Sequence, residues 1–108
     1  MLYELRIYHA SPGKLGALLK RFETTTLKFW DKHGIRQVGF WTTVIGESNH
    51  QLYYLLEWKD LNERQEKWDA FQNDPDWIKA RGESEKEGVL TTDIRNTILK
   101  PTSFSKMK

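Results

Sequence analysis

The opening stretch Tyr3-Glu4-Leu5-Arg6-Ile7-Tyr8-His9 spaces a carboxylate, a guanidinium and a phenol two residues apart. On a strand, that spacing puts Glu4, Arg6 and Tyr8 on one side and Tyr3, Leu5 and Ile7 on the other. A guanidinium joins a carboxylate through two parallel hydrogen bonds, so such a row can neutralise itself or hold an acidic ligand. Asp93 and Arg95 repeat the pattern near the end of the chain. The histidines are scattered, His9 at a strand end, His33 at a helix end and His50 at a turn. No two have the spacing of metal ligands, and no metal site is expected. His9 can act as a general base near neutral pH or simply face water. Nothing reads as a nucleophile elbow, and Pro12-Gly13-Lys14 lacks the glycine-rich cradle of a phosphate loop.

The elements that must position these groups follow from periodicity. Residues 2–9 alternate as a strand. Ser11 as cap and Pro12 at the first position open a helix whose stripe is Leu15, Leu18, Leu19, Phe22, Thr26 and Phe29. Lys32, His33 and Gly34 end it. Residues 35–45 form a second strand pattern, interrupted by Gly39, which signals a bulge, a bend or a close backbone approach. Gly46 to Asn49 is turn chemistry, and residues 51–58 are the third strand of a hairpin. Asp60-Leu61-Asn62-Glu63 has the shape of a capping box, opening a helix to about Gln72 in which Trp68 and Phe71 read as core. Asp74 as cap and Pro75 restart a short helix carrying Trp77 and Ile78. Residues 83–88 are a polar connection, residues 89–99 the last strand, and Pro101 ends it. The order β-α-β-β-α-β is that of a ferredoxin-like α+β fold with an antiparallel sheet.

Composition bounds the function. The 108 residues fit one domain spanning 1–108. Charged residues make up 30% and aromatics 13%, with five Trp, so a polar chain carries a large apolar load that must pack somewhere. Net charge is +2 with no basic stripe, which leaves nucleic-acid binding without an electrostatic footprint. Without cysteine there is no disulfide or thiolate chemistry. No membrane span and no signal peptide are visible, so a cytoplasmic protein is expected. The tail Ser103-Phe104-Ser105-Lys106-Met107-Lys108 is expected to fray into solvent.

The third strand is apolar on both faces, Leu52, Tyr54, Leu56 and Trp58 on one and Tyr53 and Leu55 on the other. An antiparallel sheet with one wet face should alternate cleanly. The face away from the helices should therefore meet protein, and a second copy is the simplest partner.

In Tyr3-Glu4-Leu5-Arg6-Ile7-Tyr8, Pro12-Gly13-Lys14, Gly39-Phe40-Trp41, Gly46 with Asn49, Arg64, Asp74-Pro75 with Trp77, and Pro101-Thr102-Ser103-Phe104-Ser105, the chain resembles the NIPSNAP family. The resemblance implies a dimeric α/β barrel, two sheets facing across a twofold axis with a cavity between. It implies no particular chemistry. None of the three His clearly enters that cavity, which disfavours haem, and no cofactor is expected. Eukaryotic members carry mitochondrial targeting and some carry two related domains, so a compact bacterial-type form is expected here.

On this reading Glu4, Arg6 and Tyr8 face the bare side of the sheet, and Leu5 and Ile7 face the helices. Leu90, Ile94 and Ile98 go to the helices, while Thr91, Asp93, Arg95 and Thr97 join Glu4 and Arg6. Tyr53, Leu55, Glu57 and Trp41 complete the wall. The expected ligand-binding set is Glu4, Arg6, Tyr8, Trp41, Tyr53, Asp93 and Arg95, in a homodimer that binds a small, partly apolar molecule between its sheets. Two other readings are a cofactor-free monooxygenase or isomerase, and a protein-interaction module whose charges only pair with one another.

Overall fold

Strands β1 (Leu2–Ala10), β2 (Arg36–Thr42), β3 (Gln51–Trp58) and β4 (Thr91–Leu99) form one sheet in the computed structural model, which describes residues 1–108. The strand order is β2-β3-β1-β4, and every neighbouring pair is antiparallel. Helices α1 (Leu15–Arg21), α2 (Leu27–His33), α3 (Leu61–Gln72) and α4 (Pro75–Ser84) complete the ferredoxin-like order, each helical leg being built from two pieces.

The first leg begins later than its Ser-Pro signature suggests. The Lys14 N–H donates to the Ser11 carbonyl at 2.9 Å, and Gly13 turns at a φ of 75°. The Ser11 hydroxyl leaves the helix altogether and donates to the Val89 carbonyl at 2.9 Å. Between α1 and α2, residues Phe22–Thr26 form a π-helical turn. The three consecutive threonines there are weak α-helix formers. Thr24 donates its hydroxyl back to the Lys20 carbonyl at 2.7 Å, a bond that loosens a helix locally. Gly34 ends the leg at a φ of 70°, a conformation glycine adopts without a steric cost.

Strand β2 stops at Thr42, not at residue 45, because Thr42 already pairs with Leu52 near the start of β3. Val44 and Ile45 have no ladder partner beyond that point and lie exposed in the connection. Gly39 follows a register shift after Gln37, and a Cβ there would come within 2.9 Å of the Trp41 ring. Strand β4 starts at Thr91, two residues later than expected, since the Leu90 N–H is taken by the Glu85 carboxylate at 3.1 Å.

Both later helices open as their sequences require. Asp60 accepts from the Glu63 N–H at 2.8 Å, and Asp74 accepts from the Asp76 N–H at 2.9 Å with Pro75 in the first position. The second Asp74 oxygen receives Lys32 and His33, each at 2.8 Å, which ties the end of α2 to the start of α4. Hydrogen bonds from Lys32 and His33 hold the Asp74 carboxyl well below its usual range.

An aromatic core fills the space between helices and sheet. Trp30 lies 5.3 Å from Tyr54, 5.8 Å from Phe22 and 5.8 Å from Phe40. Trp77 is buried and packs 4.7 Å from Phe71 and 5.7 Å from Phe29, so it joins α4 to both α2 and α3. Replacing it with alanine is expected to cost about 3–5 kcal/mol, read from denaturant unfolding. Melting behaviour equal to the parent's would show that α4 does not depend on this ring.

Candidate functional site

The polar row of β1 points into the core. Directly opposed residues of an antiparallel ladder share a face. Glu4 lies opposite Leu56, Arg6 opposite Tyr54 and Tyr8 opposite Leu52, and all three partners are buried beneath the helices. This reverses the expected facing of Glu4, Arg6 and Tyr8. Leu5 and Ile7, opposite Leu55 and Tyr53, are the ones on the uncovered side.

A buried carboxylate is tolerated there because its partners are supplied from four elements. Glu4 is 0% exposed. Arg6 donates from NH1 at 3.0 Å, and the Trp58 indole donates from Nε1 at 3.1 Å. Arg64 on α3 donates from Nε at 2.8 Å and from NH2 at 3.0 Å, a bidentate grip. Asn96 on β4 adds its amide at 3.0 Å. Burial pushes the Glu4 carboxyl upward, but the hydrogen bonds from Arg64 and Asn96 and the charge of Arg6 outweigh it and leave it at about 2.

Arg6 is equally engaged. Its Nε donates to the Tyr54 hydroxyl at 2.7 Å, its NH2 donates to the Tyr8 hydroxyl at 3.3 Å, and Tyr54 donates to Tyr8 at 2.9 Å. The guanidinium also lies 4.6 Å from the centre of the Trp68 ring, a cation–π contact. Burial pushes the Tyr54 phenol well above its usual value, and its neighbour Tyr8 adds to that. Sequence reasoning missed Trp58, Arg64 and Asn96 as partners of Glu4. The available signal was the polar atom on otherwise apolar Trp58 and Tyr54, which calls for a buried partner on the same face.

The uncovered face holds the rest of the expected set. Ile7 lies opposite Arg95, His9 opposite Asp93, and Trp41 opposite Tyr53. Trp41 is 53% exposed, while Leu5, Ile7, Tyr53 and Leu55 are half-buried. A cleft of about 230 Å³ opens at one end, lined by Ile7, His9, Glu47, Ser48, Gln51, Asp93 and Arg95. Arg95 donates to Asp93 at 3.1 Å. The rings of His9 and His50 meet edge to face at 6.0 Å beside this cleft, a proximity their positions in the chain do not announce. At the other end the C-terminal tail returns beside the sheet with most of its residues exposed, Phe104 among them. Pro101, Ser105 and Met107 line a crevice with Tyr3, Leu55 and Leu99, and Tyr3 is buried. The expected ligand set is thus divided by the sheet, with Glu4, Arg6 and Tyr8 on one side and Trp41, Tyr53, Asp93 and Arg95 on the other.

A family model described as NIPSNAP matches residues 3–106. No curated protein matches the sequence. Among solved structures, the chain is similar to a NIPSNAP family protein of unknown function from Agrobacterium tumefaciens, with 27% identity, 100% of this chain and 94% of that chain covered, and a TM-score of 0.86. A second Agrobacterium tumefaciens NIPSNAP family protein shares 25% identity, with 99% and 98% of the two chains covered and a TM-score of 0.87. A Nitrosomonas europaea protein named for antibiotic biosynthesis monooxygenases shares the fold at 8% identity, with 94% and 98% covered and a TM-score of 0.63.

The low folded-state pKa of Glu4 makes a pH prediction. Its carboxyl falls from 4.5 to about 2 on folding, so the stability it contributes is complete above about 4.5 and is lost as the pH falls toward 2. The full contribution is about 3 kcal/mol. Glu63 and Asp74 also have lowered values, so the reading is the difference between the parent and a Glu4→Gln variant. The variant is expected to be less stable at pH 7 by about 3–5 kcal/mol, with the gap closing between pH 4.5 and 2. A gap that stays constant over that range would show that Glu4 is not the titrating group.

Proposed function

The chain belongs to the NIPSNAP family, and from that footing we propose that two copies join through the uncovered sheet face and enclose a small, partly apolar molecule bearing an acidic group. One observation carries the reading. The half-buried row Leu5, Ile7, Tyr53 and Leu55 runs directly into the cleft of His9, Gln51, Asp93 and Arg95. An apolar wall that ends in a few convergent polar groups is the ordinary make-up of a small-molecule pocket. A second copy supplies the missing roof, since an apolar sheet face of this kind is unusual on a monomer.

Within that cavity Arg95 is the anchor. Its only acidic partner is Asp93, and both side chains are exposed in the single copy, so the pair is free to exchange for a ligand carboxylate. Trp41 and Tyr53 offer flat apolar surface on the other flank. His9 favours a second reading, in which the same cavity turns its ligand over. It lines the cleft, and a neutral imidazole there could take a proton from a bound substrate without any cofactor.

Sedimentation at micromolar concentration is expected to give the mass of two chains, and a Leu55→Lys variant the mass of one. A parent that sediments as one chain overturns the dimer. Native mass spectrometry of the parent is expected to show a retained small acid. An Arg95→Gln variant should hold it about tenfold more weakly, the loss of one charge-assisted pair. Unchanged retention in Arg95→Gln would remove Arg95 from the site. Turnover of the retained compound that is lost in His9→Gln would decide for the second reading.

A further inference from the structure

On the opposite side of the molecule, a cleft of about 240 Å³ lies between the first helical leg and the end of α4. Its lining is Ala17, Lys20, Arg21, Thr24, Thr25 and Ser84. We propose that this cleft is a phosphate site, with Arg21, Lys20 and Thr25 as the donors that hold a phosphoryl group.

The observation that points to a ligand is Arg21 itself. Its side chain is only 8% exposed and its guanidinium lies 6.0 Å from the Trp77 ring, yet its polar contacts are few and long. Its Nε is buried with no hydrogen-bond partner. Its NH1 donates to the Ser84 hydroxyl at 3.3 Å and stands 3.9 Å from the Glu85 carboxylate. That carboxylate oxygen is shared with the Leu90 N–H, so it is a weak counter-ion for a buried cation. Burial lowers the Arg21 pKa, Glu85 opposes the shift, and Arg81 adds to it, so a second cation already presses on the site. Buried charges are normally paired and hydrogen-bonded, which leaves this one short of an anion.

The remaining lining sorts by what it can donate. Ser84 spends its proton on the Arg81 carbonyl at 2.6 Å, and Thr24 spends its own on the Lys20 carbonyl. With the Thr24 proton already placed, Thr25 is the donor to the Thr24 hydroxyl at 3.3 Å, a long bond that a ligand oxygen can replace. Lys20 is exposed at the rim and forms no ion pair. A planar guanidinium fork takes two oxygens of a phosphate, and the other oxygens remain for an ammonium and a hydroxyl. A carboxylate holds its two oxygens in one plane and carries a single charge, whereas a phosphate carries up to two charges and spreads its oxygens tetrahedrally, so it meets a guanidinium, an ammonium and a hydroxyl from separate directions. Thr25 lies one turn beyond Arg21 on the first leg, within the π-helical turn that forms this wall of the cleft, and such turns recur at functional sites.

The test is a two-dimensional NMR titration of the full chain with inorganic phosphate, and separately with glycerol phosphate, ionic strength being held constant with chloride. Saturable shifts confined to residues 17–25 and to Ser84 are expected. Tighter binding of the ester identifies an organic phosphate as the ligand, and equal binding identifies free phosphate. Lys20→Gln, an exposed position that folding does not need, should weaken binding about tenfold. Arg21→Met should abolish it, and Arg21→Lys should restore it in part if Arg21→Met folds. Acetate binding as tightly as phosphate, an unchanged affinity in Lys20→Gln, or shifts spread over all surface lysines would each overturn the proposal. These residues are separate from the His9–Arg95 cleft, so either site can fail without the other.

Discussion

The Glu4 carboxylate and its five N–H partners are the constraint on which the rest of the structure depends. A carboxylate with no exposed surface is costly unless every lone pair is used, and here the donors come from β1, β3, α3 and β4. Each donor therefore has one workable position. Arg64 fixes how α3 lies over the sheet, Trp58 fixes the end of β3, and Asn96 holds the outer strand β4 in register. The Arg6, Tyr8 and Tyr54 cluster extends the same network inward until it meets the aromatic core at Phe22 and Trp30.

This choice of faces has a consequence on the other side of the sheet. With the polar row of β1 turned inward, its apolar row of Leu5 and Ile7 is turned outward beside Tyr53 and Leu55. The pattern is the inverse of a simple two-layer protein, in which the charged side of a strand meets water. An inward salt-bridge network and an outward apolar wall thus arise from one decision. That is why the uncovered face is apolar at its middle, with Asp93 and Arg95 on the outer strand β4 and Glu57 near the end of β3.

The helical layer shows a second departure from regularity, and its cause is local. The Thr24–Thr26 run and the back-bonded Thr24 widen the first leg into a π-helical turn. The leg still closes on Gly34 and is pinned to α4 through Asp74, which accepts from Lys32 and His33 while capping its own helix. Arg21 lies at the start of the widened turn, buried against Ser84 and Trp77. The cation is held by the fold more firmly than it is neutralised by it.

Element order, the helix starts at Asp60 and Asp74, the helix stop at Gly34 and the irregularity at Gly39 were all legible in the sequence. Each depends on residues within a few positions of one another, where capping, left-handed φ and alternation act directly. The membership of each strand face was legible for the same reason, since Glu4, Arg6 and Tyr8 share a side whatever lies around them. Which of the two sides received the helices was not legible. Alternation is symmetric under exchange of faces, and the exchange is decided by Arg64 and Asn96, which lie 60 and 92 residues from Glu4 along the chain. The meeting of His9 with His50 and the return of the C-terminal tail beside Tyr3 are likewise products of strand pairing. By itself the sequence determined the elements and the residues that share a face. Only the tertiary structure decided which face is inside, because a buried charge goes where its partners can converge.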